Sequence, residues 1–218
     1  MTKKNICILI TARLSSERVK RKVLRKVNGK TLIDTILSKI NSNPISKKYT
    51  CYFACGDKEL IKIAKKYKNL KLIIRDNKSI NTDKIHLCYN FVKDNIKEDY
   101  VLWLNTCSPY IKVSTILNAL NVFQNPKIKS LTTVIKKYTW TYNSDKLPLT
   151  VNKKLSTKEL APTYFATHNF HIWNKKFFLD GYQYFRNKKN DPYLFEMNDV
   201  ECLDIDTEDD LKFVRRIK

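Results

Sequence analysis

Residues 5–37, NICILITARLSSERVKRKVLRKVNGKTLIDTIL, decide the fold. The run Ile6-Cys7-Ile8-Leu9-Ile10 is short, apolar and rich in β-branched side chains, as in a strand buried on both faces. A polar, strongly basic loop follows over residues 11–22. Asn28-Gly29 then predicts a turn, and Leu32, Ile33, Ile36, Leu37 and Ile40 recur at helical spacing. In an open parallel sheet, ligands sit beyond the carboxyl ends of the strands. A loop placed there with Arg13, Ser15, Ser16, Arg18, Lys20, Arg21 and Lys22 is a candidate polyphosphate cradle, because guanidinium forks, ammonium groups and hydroxyls all donate to phosphate oxygens. The same run also reads as a solvated basic turn.

Outward from this stretch, strands and helices alternate, the pattern of an α/β fold with parallel strands. Further strands are expected over residues 49–55, 70–74, 100–104 and 130–137. Helices are expected over 58–67 (Asp57 as cap), 80–95, 114–123 (Ser114 as cap) and 208–217. A helix should also start near Asn174, and residues 193–205 resemble edge strands. Between residues 138 and 165 the periodicity weakens around Trp140, Tyr142 and Pro148, which predicts a small excursion that caps a site or joins a partner.

At 218 residues the chain suits one domain (1–218), long enough to bury roughly 70% of its unfolded surface. Lys+Arg 42 against Asp+Glu 21 gives a net charge of +21. Such a balance suggests a nucleic-acid or membrane partner, but the lysines are scattered along the whole chain, the pattern of a compositional bias. A basic field would also attract anionic small substrates. The six cysteines form no Cys-x-x-Cys pair and several lie in apolar runs, which points to reduced thiols in a cytoplasmic protein. No apolar run is long enough to cross a membrane.

The carboxyl-terminal block Glu201-Cys202-Leu203-Asp204-Ile205-Asp206-Thr207-Glu208-Asp209-Asp210 is the second strong feature. On an extended segment Asp204 and Asp206 face the same side and repel unless a cation or a basic group lies between them. Magnesium, a hard ion that takes oxygen ligands and bridges to phosphates, fits such a pair. Asp206 or Thr207 also reads as an ordinary helix cap, which leaves Asp204 unexplained. A third block, Asn105-Thr106-Cys107-Ser108-Pro109, sets polar residues directly after an apolar strand. No histidine pattern accompanies Cys107, so it is not read as a nucleophile.

Taken together and in order, these blocks resemble the acylneuraminate and 3-deoxy-manno-octulosonate (Kdo) cytidylyltransferases and their spore-coat polysaccharide relatives. The resemblance rests on Ala12-Arg13, Ser16, Arg18, Lys22, Leu24 and Asn28-Gly29-Lys30, then Gly56-Asp57, Asn105 to Pro109, Thr167 to Trp173, and Asp204-Ile205-Asp206-Thr207. Five positions depart from that pattern: Ser15 replaces a glycine or alanine, Lys20-Arg21 a Pro-Gly, Cys107 a threonine, and His168 a glycine. The resemblance implies a three-layer Rossmann-like nucleotidyltransferase fold, a mostly parallel sheet, and Mg2+-dependent transfer from CTP to an anionic sugar. It places the nucleotide on Ala12, Arg13, Ser16, Arg18, Lys22, Asn105 and Ser108, and the metal on Asp204 and Asp206, with Arg13, Lys22 and Asp206 as catalytic groups. A homodimer is also implied, and neither a membrane nor a nucleic-acid partner is expected. Two other readings stand beside it: a catalytically degenerate nucleotide-binding relative, and a basic nucleic-acid-binding protein, which would give Asp204 and Asp206 no role.

Overall fold

The computed structural model describes residues 3–42, 44–150, 156 and 159–217. Strand β1 (Ile6–Thr11) is flanked by a one-turn helix at Lys22–Leu24 and the hairpin strands β2 (Lys26–Val27) and β3 (Lys30–Thr31). The hairpin turn is Asn28-Gly29, both with positive φ (50° and 80°), the backbone that a two-residue loop requires. Helix α1 (Leu32–Asn41) starts on Thr31, whose Oγ1 accepts from Asp34 N at 3.1 Å. Next come α2 (Ile45–Lys48), β4 (Cys51–Cys55), α3 (Lys58–Ala64), β5 (Lys71–Ile74), and the single turns α4 (Asn77–Ile80), α5 (Ile85–Cys88) and α6 (Val92–Asn95). The chain closes with β6 (Tyr100–Leu104), α7 (Val113–Phe123), β7 (Leu131–Lys137), β8 (Thr163–Asn174), α8 (Lys175–Gly181), β9 (Tyr193–Glu196) and α9 (Glu208–Val214).

The main sheet has the order β5-β4-β1-β6-β8-β7-β9. Its β4–β1, β1–β6, β5–β4 and β7–β9 pairings are parallel, and only β8 runs against its neighbours. Alternation along β1 sends Ile6, Ile8 and Ile10 into a core shared with α1 and α7, and Cys7 and Leu9 into one shared with α6 and α8. Two buried faces give three layers, as the apolar first strand required.

Several expectations are corrected. The helix expected over 80–95 is three separate turns, because buried Arg75 donates to Ser79 O (2.5 Å) and Cys88 O (3.0 Å) and takes carbonyls that a continuous helix would use. Helix α7 begins one residue before Ser114 and has no side-chain cap; Lys112 N donates instead to Glu201 Oε2 at 2.9 Å. Asp57 flanks α3 without capping it and accepts from Leu14 N at 3.1 Å. Only Tyr193–Glu196 of residues 193–205 is a strand. Within the excursion, Tyr142 pairs with Pro148 and β8 begins at Thr163; residues 151–155 and 157–158 lie outside the described residues.

Helix α9 carries a full capping box, with Thr207 Oγ1 accepting from Asp210 N at 3.1 Å and Asp210 Oδ2 accepting from Thr207 N at 2.7 Å. Thr207→Ala is expected to cost about 1 kcal/mol in urea unfolding. A change below a few tenths would show that the cap contributes nothing here.

Candidate functional site

The site forms at the carboxyl end of β1, β4 and β6, and a small apolar cluster assembles it. Val19 of the basic loop, Val27 of the hairpin and Leu32 of α1 pack with Cys107, Ile205, Leu211 and Val214. That packing fastens the basic loop to the acidic block from the other end of the sequence. Lys22 Nζ then donates to Asp206 Oδ1 at 2.9 Å and Ile205 O at 2.8 Å, and Arg18 Nη2 lies 3.0 Å from the same Oδ1. Arg25 reaches Glu208 through both guanidinium nitrogens, at 2.8 and 3.0 Å. Asp204 points inward: its Oδ2 accepts from Asn105 Nδ2 at 3.1 Å and its Oδ1 from Ile205 N at 2.9 Å. Asn105 is itself fixed, with Oδ1 accepting from Cys107 N at 2.9 Å.

Two hollows adjoin this cluster and share Arg13 and Ser16. The larger, about 710 Å³, lies between residues 13–17 and 81–84. On its wall Arg13 donates to Thr82 O (3.0 Å) and Asp83 Oδ1 (2.6 Å). The smaller, about 140 Å³, is lined by Thr11, Ala12, Lys22, Arg75, Thr106 and Cys107 among others. Ala12, Arg13, Ser16, Arg18, Lys22, Asn105, Asp204 and Asp206 are therefore gathered at one end of the sheet. Ser108 stands apart, fully buried with its hydroxyl unpaired and lining neither hollow.

Sequence reasoning missed Arg75. It is 5% exposed, bonds Ser79 Oγ at 2.9 Å and forms no ion pair among the described residues, yet it lines the smaller hollow. A buried cation with only neutral partners leaves its charge for an anion in that hollow. The available signal was an arginine at the end of the apolar run Leu70 to Ile74. His168 and His171 line neither hollow. His168 has φ 52°, which explains why the resembled pattern uses glycine there. His171 Nδ1 lies 2.9 Å from Thr132 Oγ1 and Nε2 lies 3.1 Å from His168 Nδ1. Its ring is stacked between Trp103 and Tyr184, and burial, then the neighbouring His168, pushes its pKa down to about 3. A neutral packed side chain is what remains.

A profile of the cytidylyltransferase family matches residues 7–218. The chain belongs to the cytidylyltransferase family. Over 136 residues it is 24% identical to the 3-deoxy-manno-octulosonate cytidylyltransferase of Rickettsia bellii (strain OSU 85-389), which covers 62% of this chain and 54% of the relative. The corresponding protein of Rickettsia akari (strain Hartford) is 27% identical over 137 residues, with the same coverage. The chain thus spans about half the length of the curated relatives it matches. Among solved structures, CMP:2-keto-3-deoxy-manno-octonic acid synthetase complexed with CTP superposes with a TM-score of 0.67 at 14% identity, covering 97% of both chains. A 4-diphosphocytidyl-2C-methyl-D-erythritol synthase from Anaerococcus prevotii gives 0.65 at 14% identity, with the same coverage. These likenesses show the fold: a mostly parallel, seven-stranded α/β nucleotidyltransferase sheet.

Within this cytidylyltransferase fold the acidic pair is electrostatically uneven. Burial, then the Asp206 charge, raises the Asp204 pKa to about 6. Burial also pushes Asp206 upward, but the hydrogen bond and charge of Lys22, then Arg18, hold it below the usual carboxylate range. Two carboxylates offer only oxygen donors, and one of them is ionised at a cost, so the pair fits a hard divalent cation. No third His, Cys, Asp or Glu joins them among the described residues.

The raised Asp204 pKa has a sign. The folded protein binds that proton more tightly than the unfolded chain, so in EDTA the Asp204 contribution to stability is lost as pH rises from about 4 through about 6. Asp204→Asn is therefore expected to raise the melting temperature of the metal-free protein at pH 7.5 while leaving it unchanged at pH 4. Equal shifts at both pH values would contradict the assignment.

Proposed function

We propose that the protein joins CTP to an anionic sugar, a 3-deoxy-2-keto or nonulosonic sugar acid, releasing pyrophosphate and a CMP-sugar for surface polysaccharide synthesis. The observation that carries this reading is the meeting of Lys22 and Arg18 with Asp206, beside Asp204 and Asn105. It joins a polyphosphate-binding loop to a cation-binding pair at the end of the sheet where α/β proteins hold ligands. The names of the Kdo cytidylyltransferase relatives support the sugar class.

A hydroxyl oxygen of the sugar attacks the α-phosphorus and gives up its proton to water, the bond from the α-phosphorus to the α–β bridging oxygen breaks, and pyrophosphate leaves. Such a transfer depends on positioning and charge neutralisation. Arg13, Arg18 and Lys22 hold the triphosphate and offset the charge that grows on the leaving group. Arg75 adds a buried cation beside them, and Ala12, Ser16 and Asn105 line the nucleotide. Asp204 and Asp206 are the residues that would hold magnesium, which would supply positive charge to the reacting phosphate. The exposed Tyr138, Trp140, Tyr142, Leu147 and Leu149 of the excursion suit a contact in a homodimer. On the basis of its substrates we place the protein in the cytoplasm; no described helix is long and apolar enough to cross a membrane.

Pyrophosphate release with magnesium, each of the four nucleoside triphosphates, and neuraminate-, legionaminate- and Kdo-type sugars tests this. Release that requires CTP, metal and one acidic sugar is expected. Thermal stabilisation by CTP without release would instead mark a binding relative.

A further inference from the structure

The sequence leaves its net charge of +21 without a use, and the fold distributes that charge unevenly. At the nucleotide end the arginines of the basic loop and Lys22 are paired, Arg13 with Asp83, Arg18 and Lys22 with Asp206, Arg21 with Glu59, and Arg25 with Glu208, while the exposed Lys26, Lys30, Lys58, Lys78 and Lys84 form no ion pair among the described residues. The other end of the sheet differs. There β1, β4, β5, β6, β7 and β9 begin and the antiparallel β8 ends. An exposed lysine adjoins every one of those strand ends. Lys68 and Lys71 stand at β5, Lys47 and Lys48 precede β4, and Lys3 precedes β1. Lys97 precedes β6, Lys176 follows β8, Lys129 precedes β7, and Lys188 and Lys189 lie ahead of β9.

None of these lysines forms an ion pair among the described residues. The acids nearby do little to offset them. Glu98 is buried and accepts from Tyr52 Oη, and Asp191 is taken by Arg186 and Ser130. Asp94 and Asp99 are exposed there, with Asp180 further along α8. Seven strands at their usual spacing make this rim roughly 30 Å wide. Part of it is indented: a hollow of about 330 Å³ is lined by Ser46, Lys47, Lys48, Asn69 and Lys71 and by the half-buried Tyr49 among others, and its lysines, hydroxyl and amide suit one phosphate headgroup.

We propose that this lysine rim docks on an anionic lipid surface. Its composition favours lipid over nucleic acid. The lysines are compact, mobile point charges, suited to a diffuse field of headgroups. The rim carries no unpaired arginine fork for base edges, and the only exposed aromatic there is Tyr193 at the β9 margin, so the platforms on which single strands stack are missing from β5 to β7 among the described residues. Docked this way, the protein turns the end bearing Lys22 and Asp206 toward solution.

The test is co-sedimentation of the whole chain with vesicles of 70% phosphatidylcholine and 30% phosphatidylglycerol, beside pure phosphatidylcholine vesicles, at roughly 0.1 and 0.5 M salt. Binding to the anionic vesicles alone, lost at high salt, is expected. Joint replacement of Lys48, Lys71, Lys97 and Lys129 by Gln should weaken it on the order of hundreds-fold, about fivefold per lysine. Joint replacement of Lys26, Lys30, Lys58 and Lys78, at the nucleotide end, should change it only a few-fold. Thermal melts check that both variants fold, and the single reversal Lys48→Glu gives the same direction with less perturbation. Equal losses from the two sets, no vesicle binding, or rim-dependent binding to labelled duplex DNA or RNA without vesicle binding would each overturn the proposal.

Discussion

Asp206→Asn is expected to lower pyrophosphate release about a thousandfold while leaving the fold intact, by the scale of a lost electrostatic contact in a transition state. Asp206 is the one carboxylate in contact with both Lys22 and Arg18, and it is the more ionised member of the acidic pair. Asparagine keeps its shape and loses its charge. Stability should change little, because the side chain is 46% exposed and exposed ion pairs contribute at most about 1 kcal/mol. Lys22, only 13% exposed, keeps a partner in Ile205 O. A fall in turnover with an unchanged melting curve is the outcome to look for; full turnover would remove Asp206 from the chemistry.

Gly56→Ala should act through structure. A Cβ at Gly56 would lie 2.6 Å from Arg75 O and 3.0 and 3.1 Å from two carbons of Ile80. The closest of these is backbone, held by the Arg75 N to Cys55 O bond of 2.9 Å that ties the ends of β4 and β5. Nothing flexible can yield, so the strand ends must part. A loss of roughly 2–3 kcal/mol is expected, or about 5–10 °C in melting temperature for a chain of this size. Arg75 and Asp57, which flank Gly56, would move as well, so CTP-dependent thermal stabilisation should weaken. A variant that melts and responds to CTP like the parent would show that the approach is looser than these distances imply.

Much of this was legible in the chain. Period-two burial in β1, the Asn28-Gly29 turn and the 3.6 spacing of Leu32 to Ile40 are local signals, and local signals specified those elements. The pairing of Asp204 with Asp206 was visible as spacing alone. What remained hidden depends on distant contacts. Lys22 and Asp206 are 184 positions apart and meet only because Val19, Val27, Ile205 and Leu211 pack together. The break in the helix expected over 80–95 comes from Arg75, whose buried guanidinium competes for carbonyls. Ser114 lost its capping role to Glu201, 89 positions downstream of Lys112, the residue whose N–H it accepts. The direction of β8 was likewise open, since the residues of a strand do not state which way it lies in the sheet.

The contact of Lys22 and Arg18 with Asp206 has a consequence for how ligands arrive. Their counter-charges are already in use, so binding is an exchange of partners. A triphosphate alone would draw the two cations away and leave the carboxylates facing one another. A divalent cation alone would take the carboxylate and leave the ammonium and guanidinium unmatched. Only both together leave every charge answered, so each must raise the affinity for the other by the same factor. Under the proposed function, nucleotide and magnesium would therefore be heterotropic partners, and titrating one in the presence of the other would measure a single coupling constant from either side.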